Sequence, residues 1–178
     1  MEVANGSTGN VRINQVKAGS FYIRSVDFSD PEQARAFVGL LDMYARDPMG
    51  GGQGLPYEVK QRLPLDLPRF PGGVHLMAWA GDEAVGVLNA FMGYSTFKAK
   101  PLMNVHDIAV MPDCRGQGVG QALLAELESI AKLRGCCKLT LEVLSGNIRA
   151  RQAYEQFGFE DYELDPQMGA ACFMQKWL

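Results

Sequence analysis

Histidine is almost missing from this chain, with two in 178 residues, His75 and His106. Its four cysteines (Cys114, Cys136, Cys137 and Cys172) include no CxxC pair. Together these shortages argue against a zinc centre, and no metal is expected. An excess of basic charge is lacking too: 17 Lys and Arg stand against 20 Asp and Glu, a net charge of -3. That balance gives no footing for nucleic acid or an anionic membrane surface, although a local basic pocket stays open. No apolar run approaches the length of a membrane span. The opening "MEVANGSTGN" lacks the basic and apolar blocks of a secretion signal. The expectation is a cytoplasmic protein with reduced thiols and neither a nucleic-acid nor a membrane partner.

What remains is 47% hydrophobic and 21% charged, enough apolar content for one domain with its own core. Residues 1–18 read as a flexible leader and the rest as one unit over 1–178. "FYIRSV" (21–26) has strand composition, and "SDPEQARAFVGLLDMYA" starts a helix with Asp30 as cap and Pro31 at the first position. The glycine- and proline-rich stretch 46–73 has room for one short helix at 57–63 and reads as an acceptor-side loop or a surface excursion. "VHLMAWA", "GDE" and "AVGVLNAFMGYS" make a hairpin, and "PLMNVHDIAV" adds a third antiparallel strand. Helix "VGQALLAELESIAKLRG", strand "CKLTLEVL", helix "NIRARQAYEQFGF" and a closing hairpin over 159–178 follow. The expected fold is therefore α+β, with a central mixed, mostly antiparallel sheet of about seven strands flanked by about four helices.

The chemistry-bearing segment is "DCRGQGVGQALL" (113–124). A strand, a glycine-rich turn and a helix form an anion site, because the first N–H groups of a helix are unpaired and carry partial positive charge. Arg115 adds a cation beside them. A Walker loop needs GxxxxGK[ST], and no lysine follows. A Rossmann fingerprint needs GxGxxG directly after its strand; the spacing here is GxGxG, and 58 residues beyond Gly120 are too few for that sheet. A purely structural glycine turn is the remaining rival.

"IAVMPDCRGQGVGQALL" resembles the acyl-CoA-binding motif [RQ]xxGx[GA] of the GNAT superfamily of N-acetyltransferases, with Arg115, Gly118 and Gly120 in place. "LEVLSGNIRARQAYEQFGF" is similar to that family's later signature through Asn147, Ala150, Tyr154, Gly158 and Phe159. The stretch from Tyr94 to Gly120 also resembles spermidine/spermine and related diamine N-acetyltransferases. The resemblance implies acetyl-CoA as cosubstrate, a small-molecule amine as acceptor, and a homodimer. It implies that the amides of Arg115, Gly116, Gln117, Gly118, Val119 and Gly120 hold the diphosphate. Ile108, Ala109 and Val110 would pair with the pantetheine arm, and Asn147 and Arg151 would touch the coenzyme. The sheet should then splay beside Ile108–Val110, where a bulge would be a natural device.

Three needs follow for acetyl transfer to an amine. Some group must deprotonate the ammonium, since only about one lysine-like amine in a thousand is neutral at pH 7. His106 and Asp107 are the candidates, expected on opposite faces of one strand; His106 stands where the diamine enzymes commonly carry glutamate. The oxyanion needs a donor, and the Val110 N–H suits. The departing sulfur needs a proton or a hydrogen bond, which the resemblance implies Tyr154 supplies; the rival is a tyrosine that merely packs its ring. Asn147 reads equally as a helix cap, His75 as structural, Glu142 as a partner for a basic group, and Asp42, Asp47 and Asp107 as carboxylates for a cationic acceptor. The alternatives to a small-amine enzyme are a protein or peptide N-acetyltransferase, and a CoA-binding regulatory module without turnover.

Overall fold

The computed structural model describes residues 21–162, 167 and 171–178, so the leader expected over 1–18 lies outside the described residues. Strand β1 (Phe21–Ser25) is followed by helices α1 (Pro31–Arg46) and α2 (Tyr57–Asp66). Next come strands β2 (Gly73–Ala80), β3 (Glu83–Ser95) and β4 (Lys100–Val110), then helix α3 (Val119–Leu133), strand β5 (Leu139–Leu141) and helix α4 (Ile148–Phe157). The sheet runs in chain order β1-β2-β3-β4-β5; its first four strands are antiparallel neighbours and β5 lies parallel to β4.

Helices cover both faces of this sheet, which explains why β2 reads as an almost unbroken apolar run. Val74, Leu76 and Ala78 pack with Leu123, Leu124 and Leu127 of α3 on one face. Met77, Trp79 and Val87 pack with Phe37, Leu40 and Leu41 of α1 on the other. Each fully buried leucine of α3 contributes roughly 1.5–3 kcal/mol by leaving water, so this helix is firmly seated on the sheet. Asp30 caps α1 by accepting from the Glu32 N–H at 2.9 Å. Beyond α1 the chain turns back tightly. Gly50 lies so close to the Tyr44 carbonyl that no side chain fits there, and Asp42 fastens the loop by accepting from the Leu55 N–H (2.7 Å) and pairing with Lys60 (2.9 Å).

Two expectations need correcting. The sheet of the described residues has five strands, not about seven. Residues 159–162 and 171–178 carry no strand, and part of the expected closing hairpin (163–166 and 168–170) lies outside the described residues. At 159 the reason is visible: the Phe159 N–H donates to the Tyr154 carbonyl at 3.0 Å and so finishes helix α4 instead of starting a ladder. The edge strand β5 is also only three residues long, which leaves little for a further strand to pair with.

The second correction concerns β4. Asn89 faces Asp107 while Ala90 faces Val105, so His106 is an extra residue. The bulge expected within Ile108–Val110 therefore lies just before it. A bulge sets two residues against one and breaks the alternation of sides. Val105 packs toward α3, but the His106 ring meets Phe91 (centroids 5.7 Å apart) on the α1 face, and Asp107 reaches Asn89 on that same face. His106 and Asp107 thus share a face rather than opposing each other.

Candidate functional site

The bulge falls where two strands separate. β5 pairs with β4 through Met103, Asn104 and Val105 only, which leaves the stretch from His106 to Val110 with an open edge on that side. The Met111 N–H donates to the Val85 carbonyl at 2.8 Å, toward β3. Antiparallel residues alternate in which edge they serve, so Val110 and Ile108 turn their N–H and C=O groups to the open edge. The Val110 carbonyl confirms this direction by accepting from Arg115 Nε at 3.0 Å.

A cavity of about 500 Å³ occupies the gap. Ile108, Ala109 and Val110 form its floor, the loop and first turn of α3 one wall, α4 another, and Tyr44, Asp47 and Met49 the far end. Gln121 Nε2 ties α3 to α4 by donating to the Ala153 carbonyl at 2.7 Å, and the small residues Ala150 and Ala153 keep the α4 wall low.

The glycine loop has the geometry of an anion cradle. Gly116 and Gly118 have φ of 79° and 86°, a left-handed conformation that side chains resist. A Cβ on Gly118 would meet nothing within 4 Å, so the space before it is open rather than filled by protein. The Ala122 N–H is the first to bond inside the helix, to the Gly118 carbonyl at 3.0 Å, which leaves the earlier amides of α3 unpaired. Gln117 braces the loop by donating to the Asp113 carbonyl at 2.9 Å. These residues fit a diphosphate: several N–H donors at a helix start, an uncrowded approach and a cation nearby.

That cation is one the sequence reading passes over. The expected Arg115 spends its guanidinium on the Val110 carbonyl and on Asp47, with Nη2 at 3.2 Å from the carboxylate. Arg151 pairs with Asp161 at 3.0 Å and Glu155 at 3.6 Å and is not in the cavity wall. Arg149 lines the cavity instead, its guanidinium 3.9 Å from where a Gly116 Cβ would stand. Ala150 and Ala153 mark the face of α4 that looks into the cavity, and counting back four residues from Ala153 would have pointed to Arg149. Asn147 lines the cavity and also caps α4, accepting from the Ala150 N–H at 3.2 Å.

Tyr154 sits in the same wall, its ring edge-on to Phe159 with centroids 5.9 Å apart. Burial, and secondarily the neighbouring Tyr44, push its phenol up to about 12. The Tyr44 phenol is raised as well, by burial first and then by the charges of Asp107 and Asp47. Tyr44 therefore links the cavity to Asp107, which accepts from Asn89 Nδ2 at 3.0 Å. Neither His106 nor Asp107 is itself in the cavity wall. Asp47 is held below the ordinary carboxylate range by the Met49 amide and then by Arg115. Asp42 is lowered chiefly by Lys60 and belongs to the loop clamp. Glu142 has an amide as neighbour, Asn104 Nδ2 at 3.4 Å, rather than a basic group. Cys114 borders the cavity near the loop, with no histidine among its wall residues.

The sequence profile of the acetyltransferase (GNAT) family matches residues 37–159. A thialysine N-epsilon-acetyltransferase of Bos taurus is 36% identical over 93 residues, which cover 52% of this chain and 53% of that protein. A streptothricin acetyltransferase of Streptomyces lavendulae is 36% identical over 76 residues, 43% of this chain and 39% of that one. The chain thus spans about half the length, or less, of these curated relatives. Among solved structures, AAC(6')-Iy in complex with the bisubstrate analogue CoA-S-monomethyl-acetylneamine superposes with a TM-score of 0.71. The match covers 89% of this chain and 99% of that one at 18% identity, a likeness of fold.

Proposed function

The chain belongs to the GNAT acetyltransferase family, and from that premise we propose that it moves an acetyl group from acetyl-CoA to a primary amine of a small cationic molecule, polyamine-like or amino-acid-like, by direct attack while both are bound. One observation carries the reading: a single cavity joins the unpaired amides of the α3 start, the open edge of β4 and Tyr154.

Acetyl-CoA supplies the activated acetyl group; this chain's own residues supply position and charge. The amides from Gly116 into the first turn of α3, with Arg149, hold the diphosphate. The outward N–H and C=O of Ile108 pair with the amide-rich arm as a strand edge does, the Val110 carbonyl being taken by Arg115. The Val110 N–H then faces the acetyl oxygen as it gains negative charge. Asp107, reached past Tyr44 or through water, pairs with the incoming amine and takes its proton as the nitrogen attacks and becomes more acidic, with His106 beside it on the same face. Tyr154 serves the sulfur. With its phenol pushed up to about 12 and a thiol near 8.5, complete proton transfer would run uphill by roughly 5 kcal/mol, so Tyr154 acts by donating a hydrogen bond to the departing thiolate.

Asp47 at that end and Asp107 beyond Tyr44 favour a cationic acceptor, in line with the substrates after which the relatives are named, thialysine and streptothricin. A reducing, cytoplasmic setting suits the thiols of Cys114, Cys136 and Cys137, which form no disulfide. Subunit contact through the C-terminal segment would cover Phe173, Met174 and Trp177, which are exposed. The deciding experiment is thiol release from acetyl-CoA with a panel of diamines, free lysine analogues, aminoglycosides and a peptide with a free N-terminus. Release with small polycations and little with the peptide is expected. Coenzyme binding without release across the whole panel would instead favour a regulatory module.

A further inference from the structure

Asn89 is the one polar or charged side chain among the described residues that is fully buried, at 4% exposure. An amide in that position costs stability unless its groups are bonded, and both are. Its Nδ2 donates to Asp107 Oδ2 at 3.0 Å, and its Oδ1 lies 2.5 Å from His75 Nδ1. The three residues form a row across the sheet: His75 is the cross-strand partner of Asn89, and Asn89 is the partner of Asp107. They share the α1 face, where Asp107 stays only because the His106 bulge intervenes before Val105.

The direction of each bond is fixed by chemistry. An ionised carboxylate can only accept, so the amide nitrogen of Asn89 must face Asp107. Its oxygen then faces His75, and Nδ1 of that ring must carry the hydrogen. The ring is held edge-on by Phe28, Phe37 and Phe91, with centroids 5.4, 6.0 and 5.8 Å away. Burial drives the histidine toward its neutral form. Its Nε2 is buried without a hydrogen bond among the described residues. A neutral ring locked in one tautomer is a fixed donor; it prevents the Asn89 amide from turning over.

We propose that Asn89, itself held by His75, is a positioning residue for Asp107: it fixes the carboxylate on the α1 face beside Tyr44, so that it can receive the proton of the amine. This rests on the reading of Asp107 as proton acceptor given above. Losing the donor leaves the carboxylate free to turn about its last side-chain torsion. The other titratable groups around Asp107 are Tyr44 from α1, with Asp47 beyond it, and His106 on its own strand. None of these is a hydrogen-bond partner of Asp107 among the described residues, which leaves Asn89 as the group that holds its carboxylate.

The test is the split between kcat and the affinity for acetyl-CoA in thiol release by the full chain, for Asn89→Leu, which keeps the branch at Cγ and removes the amide. Misplacing the carboxylate should lower kcat about tenfold with acetyl-CoA affinity unchanged. A folded Asn89→Leu protein with the kcat of the parent overturns the proposal, since a merely structural role lowers stability and not the turnover of the folded protein. If Asn89→Leu does not fold, the smaller Asn89→Ser must show the fall, and a parent-like kcat there overturns it equally. His75→Phe, which keeps an aromatic ring in the cluster, should lower kcat by a smaller factor; a parent-like kcat removes His75 from the row. Asp107→Asn separates the two levels. If it stays fully active, the base assignment itself fails; if it is inactive while Asn89→Leu is parent-like, only the positioning role fails.

Discussion

Tyr154 carries the residue-scale consequence with the clearest sign. Its phenol is raised, so it holds its proton at every pH at which the fold is useful, and ionisation of Tyr154 contributes no basic limb to the rate below about pH 11. Tyr154→Phe keeps the ring contact with Phe159 and removes only the hydroxyl. A hydrogen bond to a charged group is worth about 1.5–3 kcal/mol, so kcat should drop roughly 10- to 100-fold with the affinity for coenzyme A retained. The pH profile of the variant should keep the shape of the parent's, which steady-state kinetics between pH 6 and 10 would show. An unchanged kcat would return Tyr154 to the role of a packing tyrosine.

At the scale of elements, the loop before α3 makes a separable prediction. Gly118→Ala places a Cβ on a left-handed residue at a cost of about 1–2 kcal/mol. Gly81→Ala, in the β2–β3 turn at φ 60°, incurs a similar strain far from the cavity and serves as control. Both variants should lose a few degrees of Tm, but only Gly118→Ala should weaken acetyl-CoA binding, as calorimetry on the two proteins would reveal; equal affinities would make the glycine turn purely structural. This loop was legible in the sequence because glycine, helix start and strand exit are local signals. The His106 bulge was not, since a bulge is a mismatch of register between two strands and neither strand's own pattern contains it. The strands expected over 159–164 and 170–178 are read as two segments around the turn "DPQMG", a local signal that does not show whether a sheet edge is available. Arg149 and Arg151 illustrate the same limit on a helix. The motif locates α4 in the chain, but Tyr154 alone leaves its rotation open, and two residues apart means nearly opposite faces.

For the molecule as a whole, the cavity draws its walls from β4, α3, α4 and the end of α1, so a ligand there braces most of the domain. Anything that binds the folded state alone raises stability by mass action, about 2.7 kcal/mol at a hundredfold excess over Kd. For a chain of this size each kcal/mol moves Tm by about 2–4 °C, so saturating coenzyme A should raise Tm by roughly 5–10 °C. The two arginines divide this shift. Arg149→Gln removes the cation beside Gly116; if that raises Kd about tenfold, the gain at the same coenzyme concentration falls to about half. Arg151→Gln breaks exposed pairs with Asp161 and Glu155 and should leave the coenzyme-induced shift as it is, whatever it does to the Tm of the free protein. Differential scanning fluorimetry of the parent and both variants, with and without coenzyme A, checks all three values together. A shift halved by Arg151→Gln and untouched by Arg149→Gln would mean that α4 turns its other face to the ligand, and the diphosphate would then have to be placed elsewhere than beside Gly116.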